Sequence, residues 1–581
     1  MIPLPILIVA LKASPKAALS ALWASIRRKR VRARNIVYAA AQQDKGYYPL
    51  WIAAIEAGKV AEYCGEPATG DETLPIVPVV VSGQDGATQD LARTVESLRA
   101  ALGNNTPIYC DAPGACQQTG CLELPGGSLN QFLDALSAAN PEAWLLPMLA
   151  GDEIAPFAGK AIARALAKSS EAAIIYWDED SLDGPRRHNP WLKPDWDELL
   201  FLARDGLTGA GVFQVTALRD PNGGSGLEPV GPRTISQAVV SLVGRTGANP
   251  AAIHVPLILS HRQPQSVFAT AADRKKFMEK IWHEPVELTE IAGVPDALRP
   301  RFMGGKPLPK VSILIPTRNR HELLRICMAG VFRLEYGGDV EIIVVDNDSD
   351  EPASRNYLDE LATAGVNIIR YSGPFNFSAM NNRAAEVATG EILCLLNNDI
   401  EMHDGAWLEA MVRHAMRPGV GAVGALLQYP DGTVQHAGVA VGTGNAAGHV
   451  YRGLSVEDAG HRDMHRLTRR VSAVTAACLV VRKDIFMEIG GLDETAFKVA
   501  FNDVDFCMRL SAHGYRNVLA GEALLTHHES KSRGSDFSTE NFGRYSTELA
   551  YLQERWGTKE FVDPYHHPLA MRSSEKFVLA S

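Results

Sequence analysis

Two aspartates stand directly after apolar runs in the middle of the chain, and together they have the chemistry of a nucleotide site. Asp346 follows the run Val340–Val345, and Asp399 follows Ile392–Leu396 after two asparagines. An apolar run closed by a polar turn is typical of a buried parallel strand. Because ligands of open α/β sheets lie outside the carboxyl ends of the strands, we expect both carboxylates to face one crevice. Such a crevice can hold a nucleotide and a metal-bound diphosphate.

Strand and helix patterns alternate around these acids, which predicts a parallel sheet with crossover helices. The predicted strands are Val311–Ile315, Val340–Val345, Asn367–Tyr371 and Ile392–Leu396. The predicted helices are His321–Phe332, Ser354–Ala364 and Ser378–Thr389.

Composition restricts the class of protein. A chain of 581 residues is too long for one core and suggests two or three domains. The net charge of −10 gives no electrostatic support to general nucleic-acid binding. Cys327, Cys394, Cys478 and Cys507 lie in apolar or helical contexts, which is typical of reduced core thiols in a cytosolic protein. The cluster at positions 110, 116 and 121 contains no CxxC pair, so it gives little support to a zinc site.

Turn-rich and proline-rich stretches divide the chain into five parts. We expect a helical segment at 1–70, a first α/β domain at 76–265, a linker at 266–309, a second α/β domain at 310–560 and a tail at 561–581.

The N-terminal segment carries a basic cluster, Arg27–Arg34. It follows Leu19, Leu22, Trp23 and Ile26, which share one helical face. An apolar face joined to a basic cluster can lie on an anionic membrane surface. A solvated helix with a basic end explains the same pattern, and the sequence leaves both open.

The second α/β domain resembles a family 2 glycosyltransferase of the GT-A fold, of the group that builds O-antigen and related surface polysaccharides. Eight short motifs in the right order carry the resemblance, although each alone is weak. They are Ile315–Asn319, Val344–Ser349, Asn376–Asn382, Leu396–Asp399, Gly432–Gly438, Gly490–Glu494, Asn502–Arg509 and His527–Gly534.

The resemblance implies a donor site and a metal site. Asp346 would accept from the base N–H, and Asp399 closes the counterpart of the family's DXD motif, where Asn397 replaces the first acid. A single carboxylate offers too few ligand atoms for Mg²⁺ or Mn²⁺, so a second ligand is expected. The family position indicates His527, and His528 is the second choice. The implied donor-binding residues are Pro316, Thr317, Arg318, Asp346, Asn382, Asn397 and Asn398.

Inversion at the anomeric carbon needs a base on the acceptor side. Asp503 matches the family's catalytic aspartate, although Asn502 replaces the glutamate before it, and Asp505 is a competing candidate. Residues expected to contact the donor sugar or acceptor are Gln435, His436, Gly490, Gly491 and Asp505.

Residues 76–265 repeat the same plan in degenerate form. Trp144–Asp152 parallels Cys394–Asp399, and the glycines at 223–224 are not followed by the Glu-Asp motif. We therefore expect two tandem GT-A-like (Rossmann-like, mostly parallel) domains after a helical N-terminal segment, with no sugar transfer in the first. That module would scaffold or bind the acceptor glycan.

These expectations combine into one predicted activity. An inverting, metal-dependent glycosyltransferase would move a sugar from a UDP- or dTDP-linked donor to a glycan or lipid-linked acceptor. It would act in the cytoplasm, at the inner face of the inner membrane if peripheral contact occurs through the basic segment. The alternative is a non-catalytic glycan-binding scaffold, which Asn397 and Asn502 favour. A nucleotidyltransferase would need a glycine-rich loop after the first strand, and a dinucleotide site at Gly442–Gly448 would need a later acid, so both are disfavoured.

Overall fold

The computed structural model describes residues 2–65, 75–82, 88–168, 171–219, 229–247, 251–264, 267–304, 307–528 and 541–579. The chain divides into two compact units. The first contains residues 1–298, 567–571 and 578–581, and the second contains residues 299–566 and 572–577. The glycines at 223–224, the stretch after them and the end of the last motif, 529–534, lie outside the described residues.

The first unit opens with helices, as the sequence predicted. They are Leu4–Ala13, Pro15–Ile26, Arg30–Ala41, Tyr47–Trp51, the π-helical turn Ile52–Glu56, and Ala57–Cys64. Among the described residues, none of the helices has the length and apolar character needed to cross a bilayer.

A nine-stranded sheet forms the core of the first unit. In spatial order its main strands are Leu122–Glu123, Tyr109–Cys110, Ile76–Val81, Trp144–Leu149, Gly211–Gln214, Ile174–Asp183, Ala252–Arg262 and Glu153–Ile154, with Arg186–Trp191 beside Ile174–Asp183. The helices are Thr88–Leu102, Pro113–Thr119, Leu129–Ala139, Ala158–Leu166, Glu198–Ala203, Val215–Leu218, Pro232–Thr246 and Ala271–Ile281. A disulfide joins Cys110 to Cys116 near one edge of the sheet.

A ten-stranded sheet forms the core of the second unit. Its main strands in spatial order are Asn367–Arg370, Val340–Asp346, Val311–Thr317, Ile392–Leu396, Cys478–Arg482, Val420–Gln428, Arg516–His527 and Ile400–Met402, with Val434–His436 and Arg469–Val471 attached. Val439–Val441 and Ala447–His449 form a separate ribbon that flanks the short 3-10 turn Thr443–Asn445. The helices are His321–Val331, Pro352–Thr363, Phe377–Val387, Trp407–Ala415, Lys483–Glu488, Asn502–Ala512 and Phe542–Trp556.

The two sheets have the same strand order when their strands are matched along the chain. In both, a parallel half built from the first four strands joins a half in which a directly paired parallel couple lies between two antiparallel strands. The prediction of two tandem, mostly parallel α/β domains is therefore confirmed, with the refinement that both sheets are mixed.

Parallel register places the predicted strand ends of the second unit side by side. Thr317 is the register partner of Asp346, and Leu314 is that of Leu395. The strands Val311–Thr317 and Ile392–Leu396 are buried along their full length, as continuous apolar runs predict. The turns that follow these strands therefore open at one edge of the sheet.

The boundary segments contain regular structure. Residues 266–309, predicted as a linker, include the helix Ala271–Ile281 and the strands Val286–Glu290 and Leu298–Phe302. The tail contributes to both compact units, because 572–577 belongs to the second and its two flanking stretches belong to the first.

Candidate functional site

A cavity of about 970 Å³ opens in the second unit at the carboxyl ends of its parallel strands. This volume lies at the upper end of the range typical of ligand pockets. Nine of the predicted site residues line it: Pro316, Thr317, Arg318, Asn397, Asn398, Asp399, Gln435, Asp503 and His527.

The metal-site pair Asp399 and His527 is brought together by an antiparallel edge strand. Ile400 pairs with His527 in register, so the residue before Ile400 lies beside the imidazole ring. His527 Nε2 is 3.0 Å from Asp399 Oδ1, and both side chains are buried. A carboxylate and an imidazole at this distance offer one oxygen and one nitrogen to a divalent cation.

Gln435 fixes which nitrogen of that imidazole carries the proton. Its Oε1 accepts from His527 Nδ1 at 2.8 Å, so Nδ1 is the protonated nitrogen. The Nε2 lone pair then faces Asp399, and the amide of Asn397 approaches it at 3.4 Å, as a donor to an unprotonated nitrogen would. Metal-ligating histidines characteristically donate their other ring N–H to an oxygen acceptor. Asp399 and His527 therefore fit a divalent cation, and the hydrogen bond from His527 to Gln435 holds the imidazole ring in the orientation that this requires.

The asparagines of the predicted DXD counterpart tie strand ends together. Asn398 donates to Thr317 Oγ1 at 2.8 Å, and both side chains are buried. Two residues after Thr317, the side-chain oxygen Oδ1 of Asn319 accepts hydrogen bonds from the backbone N–H groups of Asp350 and Glu351. The turns after neighbouring strands are thus fixed to one another, which rigidifies the floor of the cavity.

Asp503 lines the same cavity as Asp399 and lies in the first turn of the helix Asn502–Ala512. Its Oδ2 accepts from the backbone N–H of Ala476 at 3.0 Å, and its Oδ1 accepts from that of Val504 at 2.8 Å. The backbone enters this helix through Phe501 at φ 60°, a left-handed conformation that turns the chain sharply. Asp399 and Asp503 therefore share one cavity.

Sequence reasoning missed Glu548, which holds the loop before Asp503. From the helix Phe542–Trp556, its carboxylate accepts from the backbone N–H groups of Lys498, Val499 and Ala500 at 3.1, 3.2 and 2.8 Å. Arg544 Nη1 donates to the same carboxylate at 2.9 Å. The signal lies in an i, i+4 Arg–Glu pair, which by itself resembles any solvated helix face.

His436 lies behind the cavity wall instead of lining it. Its Nε2 accepts from the Thr475 N–H at 3.4 Å, so its Nδ1 donates to His449 Nδ1 at 3.0 Å. Burial first, and then the neighbouring His449, hold the pKa of His436 well below its ordinary value. His436 therefore orients His449, which does line the cavity, and the sugar contact expected at position 436 stays a prediction.

Asp505 does not line the cavity. It is fully buried and accepts from Arg509 Nε, Arg555 Nη1 and Trp556 Nε1 at 2.8, 2.8 and 3.0 Å. The three donors lie on the helices Asn502–Ala512 and Phe542–Trp556, so the Asp505 carboxylate links these two helices. The three donors occupy this carboxylate, which favours Asp503 over Asp505 as the base, and the sugar contact expected of Asp505 stays a prediction.

Asn382, Gly490 and Gly491 form a local structure outside the cavity lining. Asn382 exchanges hydrogen bonds with the backbone of Leu492, and a side chain at position 491 would collide with its Oδ1. Both glycines adopt positive φ where the helix Lys483–Glu488 ends, a conformation that other residues adopt at a cost. Both glycines are needed for this turn, and the donor or sugar contacts expected of the three residues stay predictions.

Asp346 is fully buried and also lies outside the lining. Its Oδ1 accepts from the Ser349 N–H at 3.0 Å, and Arg370 Nη1 approaches Oδ2 at 3.6 Å without a hydrogen bond. Oδ2 has no hydrogen-bond donor among the described residues. His528, the second choice as a metal ligand, instead contacts Glu401 Oε2 at 2.8 Å.

The first unit preserves the register of the metal site but not its chemistry. The pair Ile400 and His527 recurs there as Glu153 and His261, and Asp152 stands where Asp399 does. His261, however, contacts Asp180 instead of Asp152. Asp152 accepts a hydrogen bond from the Gln263 backbone N–H at 2.9 Å. The topology is retained while the ligand pair is lost.

Cations of the chain itself fill the corresponding place in the first unit. Arg262 Nε lies 3.3 Å from Asp152 Oδ2, where a divalent cation would otherwise balance the carboxylate. Each of three consecutive acids next to it also has basic side chains as partners: Asp178 with His254 and His567, Glu179 with Lys193 and Arg262, and Asp180 with His261 and Arg187.

One of these groups, Asp178 with His254 and His567, places three ligand atoms within 4.8 Å. The Leu569 N–H donates to His567 Nδ1 at 3.0 Å, so the proton of this ring is on Nε2, which faces Asp178 at 2.7 Å. Burial alone would raise the pKa of Asp178, but His567 and His254 outweigh it and lower that pKa. The group is explained as a buried carboxylate flanked by two imidazoles.

Comparison with known proteins places residues 312–490 under the family model described as glycosyl transferase family 2. The chain is 36% identical over 509 residues to the uncharacterized protein y4gI of Sinorhizobium fredii, covering 85% of this chain and 54% of that protein. It is 34% identical over 432 residues to the O-antigen biosynthesis protein RfbC of Myxococcus xanthus, covering 72% of this chain and 33% of that protein. The chain thus spans about half or less of these relatives.

Among solved structures, the chain is similar to the mannosyltransferase PcManGT of Pyrobaculum calidifontis, determined in complex with GDP-Man and Mn²⁺. Identity is 15%, the match covers 45% of this chain and 67% of that one, and the TM-score is 0.32. A likeness at this TM-score carries no argument about the site.

Proposed function

Because the chain belongs to glycosyl transferase family 2 through residues 312–490, we propose that its second unit is an inverting, metal-dependent glycosyltransferase. The donor is a nucleoside-diphosphate sugar, UDP- or dTDP-linked, and the acceptor is a glycan or lipid-linked glycan of surface polysaccharide synthesis. One observation carries the proposal: Asp399 with His527 and Asp503 line a single cavity. The proposed place of action is the cytoplasmic side of the inner membrane.

On the donor side, the chain supplies a buried acceptor for the base and ligands for a cation. Asp346 keeps its expected role as acceptor for an N–H of the nucleobase, because its Oδ2 has no hydrogen-bond donor among the described residues, and this role requires the buried turn that covers Asp346 to open when the donor binds. Asp399 and His527 would hold Mg²⁺ or Mn²⁺, which supplies positive charge against the diphosphate leaving group. Arg318, exposed at the cavity, adds a fixed cation for the same phosphates.

On the acceptor side, Asp503 takes the proton of the attacking hydroxyl. Two backbone N–H bonds hold its carboxylate in one orientation, and each oxygen retains a lone pair for the incoming O–H. Glu548 acts as a positioning residue, because it fixes the loop from which Asp503 enters the cavity.

We further propose that the first unit does not transfer sugar. Arg262 neutralises Asp152, the acid at the position that corresponds to Asp399, so no divalent cation is needed there. Robust transfer by the full chain after Asp399→Ala, with loss only after Asp152→Ala, would place catalysis in the first unit and contradict this assignment.

The competing function is a glycan-binding scaffold. It is favoured by Asn502, whose amide donates to the Val499 carbonyl at 2.7 Å instead of assisting Asp503. A panel of nucleotide sugars with Mn²⁺ or Mg²⁺ separates the two functions. The transferase releases nucleotide from one donor in a metal-dependent reaction, Asp399→Ala abolishes it, and Asp503→Asn leaves donor-induced thermal stabilisation intact. If no donor is turned over or stabilises the chain, the scaffold is the better account.

A further inference from the structure

The first two helices turn their large apolar residues toward solvent. Helix Leu4–Ala13 buries Ile6 and Ala10 on its inner side. Its outer side is apolar too, with residues at spacing i, i+3, i+4 and i+7, which form one stripe along a helix. The four exposed residues are Leu4, Leu7, Ile8 and Leu11.

Helix Pro15–Ile26 repeats the arrangement. It buries the small residues Ala21 and Ala24 and exposes a second stripe with the same spacing. Those four residues are Leu19, Leu22, Trp23 and Ile26. Across both helices the eight side chains are 41% to 71% exposed. A soluble helix in water has the opposite pattern, so this surface is built to contact something apolar.

The helices are held in place by packing, so the outward orientation is part of the fold. Helix Arg30–Ala41 packs against both and buries Val37 and Tyr38. The following helical segment is fixed to the sheet of the same unit by the Arg187–Glu56 ion pair, with atoms 2.5 and 2.7 Å apart, and by Tyr48, which donates to Asp180 at 2.7 Å.

A cluster of positive charge adjoins the second stripe. Six of the eight residues Arg27–Arg34 are Arg or Lys, and no Asp or Glu occurs in residues 1–43, although the whole chain has a net charge of −10. All six cationic side chains are exposed. The Arg27 guanidinium lies 3.5 Å over the Trp23 ring, so one amphipathic pair marks the border between apolar stripe and charge.

We propose that the stripes and the basic cluster Arg27–Arg34 form a docking surface for an anionic phospholipid bilayer. The stripes reach the boundary between headgroups and acyl chains, and the cations pair with headgroup phosphates. A second copy of the chain fits worse, because apposing two such faces brings two basic clusters together. The inference does not rest on the proposed sugar transfer, since vesicle binding is measured without turnover.

Flotation of the full chain with vesicles tests the surface. We expect it to float with vesicles of phosphatidylcholine and phosphatidylglycerol, to float poorly with phosphatidylcholine alone, and to be released from the anionic vesicles by salt. The triple variant Leu19→Gln, Leu22→Gln, Ile26→Gln should stay in the soluble fraction. Arg28→Gln with Arg30→Gln should bind more weakly and with less salt dependence.

A matched control replaces three apolar residues of the second unit that are exposed to a similar degree: Ile326→Gln, Phe332→Gln and Met487→Gln. This control should float like the unmodified chain, and all variants should keep its thermal midpoint because the replaced side chains are exposed. The proposal is overturned if the unmodified chain ignores anionic vesicles, or if the control loses binding as the triple variant does. It is also overturned if light scattering shows a dimer in which the triple variant alone is monomeric.

Discussion

Replacing Gln435 by leucine should weaken metal binding without touching a metal ligand. In the native site Gln435 Oε1 holds the proton of His527 on Nδ1, at 2.8 Å, and leaves the Nε2 lone pair directed at Asp399. In Gln435→Leu the proton gains by moving to Nε2, where the carboxylate accepts it. A cation must then displace that hydrogen bond before it can bind.

The magnitude follows from the hydrogen bond that is lost. A buried N–H left without its acceptor costs about 1–3 kcal/mol. In Gln435→Leu the metal-free site avoids this cost by moving the proton to Nε2, but the metal-bound site needs the proton back on Nδ1, so metal binding becomes weaker by a similar free energy. This corresponds to a Kd for Mn²⁺ raised roughly 10- to 100-fold, the range typical when the acceptor behind a metal-bound histidine is removed. Gln435→Glu keeps the acceptor and should bind the metal nearly as tightly as the native chain.

The assay is titration with Mn²⁺ followed by the paramagnetic resonance signal of the free ion. Gln428→Leu is the matched control, since Gln428 Nε2 donates to Thr526 Oγ1 at 3.1 Å, one residue away from His527 but not on its ring. Equal Mn²⁺ affinity in Gln435→Leu and the control would refute the role given to Gln435. Loss of affinity in both would point to general damage to the strand.

Three further outcomes are expected. Asp503→Asn keeps its size but loses the proton acceptor, so kcat for transfer should fall about 10²- to 10⁴-fold while nucleotide affinity by calorimetry is unchanged, and a variant with native kcat would exclude Asp503 as the base. Glu548→Ala leaves three backbone donors without their carboxylate, so the urea midpoint should drop by an amount equivalent to about 3 kcal/mol or more, and an unchanged midpoint contradicts the anchoring role. Burial raises the pKa of Asp563 to about 6, above its unfolded value, so its stabilising contribution is present at low pH and is lost as pH rises through about 6. Relative to Asp563→Asn, the unfolding free energy of the native chain should therefore decline by about 3 kcal/mol between roughly pH 4 and pH 6, and parallel curves would show that this carboxyl is not responsible.

The parallel half of the second sheet was predictable because its signal is local. The strand Ile392–Leu396 has the predicted bounds, and Val311–Thr317 extends only two residues beyond the predicted Val311–Ile315. Continuous apolar runs identify strands buried on both faces, and alternation with helices sets their direction. Once direction is known, the acids at the strand ends must open on one side, as Asp399 does.

What could not be predicted depends on partners far along the chain. Asp505 stands two residues after Asp503 in the same helix, but two of its three donors, Arg555 and Trp556, lie about 50 residues further along the chain. Glu548 acts through backbone groups, which no side-chain pattern reveals. The glycines at 490 and 491 were assigned to sugar contact because their permissive backbone has several uses, and the helix end that actually needs them is visible only in φ.

Arg262 lets the first unit balance a buried acid with its own side chain. Because a side chain can balance the acid at 152, the duplicated fold keeps its charge neutrality with no ion bound. A unit whose acid is balanced by its own arginine therefore needs no divalent cation for folding, so its stability should not change when such cations are removed by a chelator.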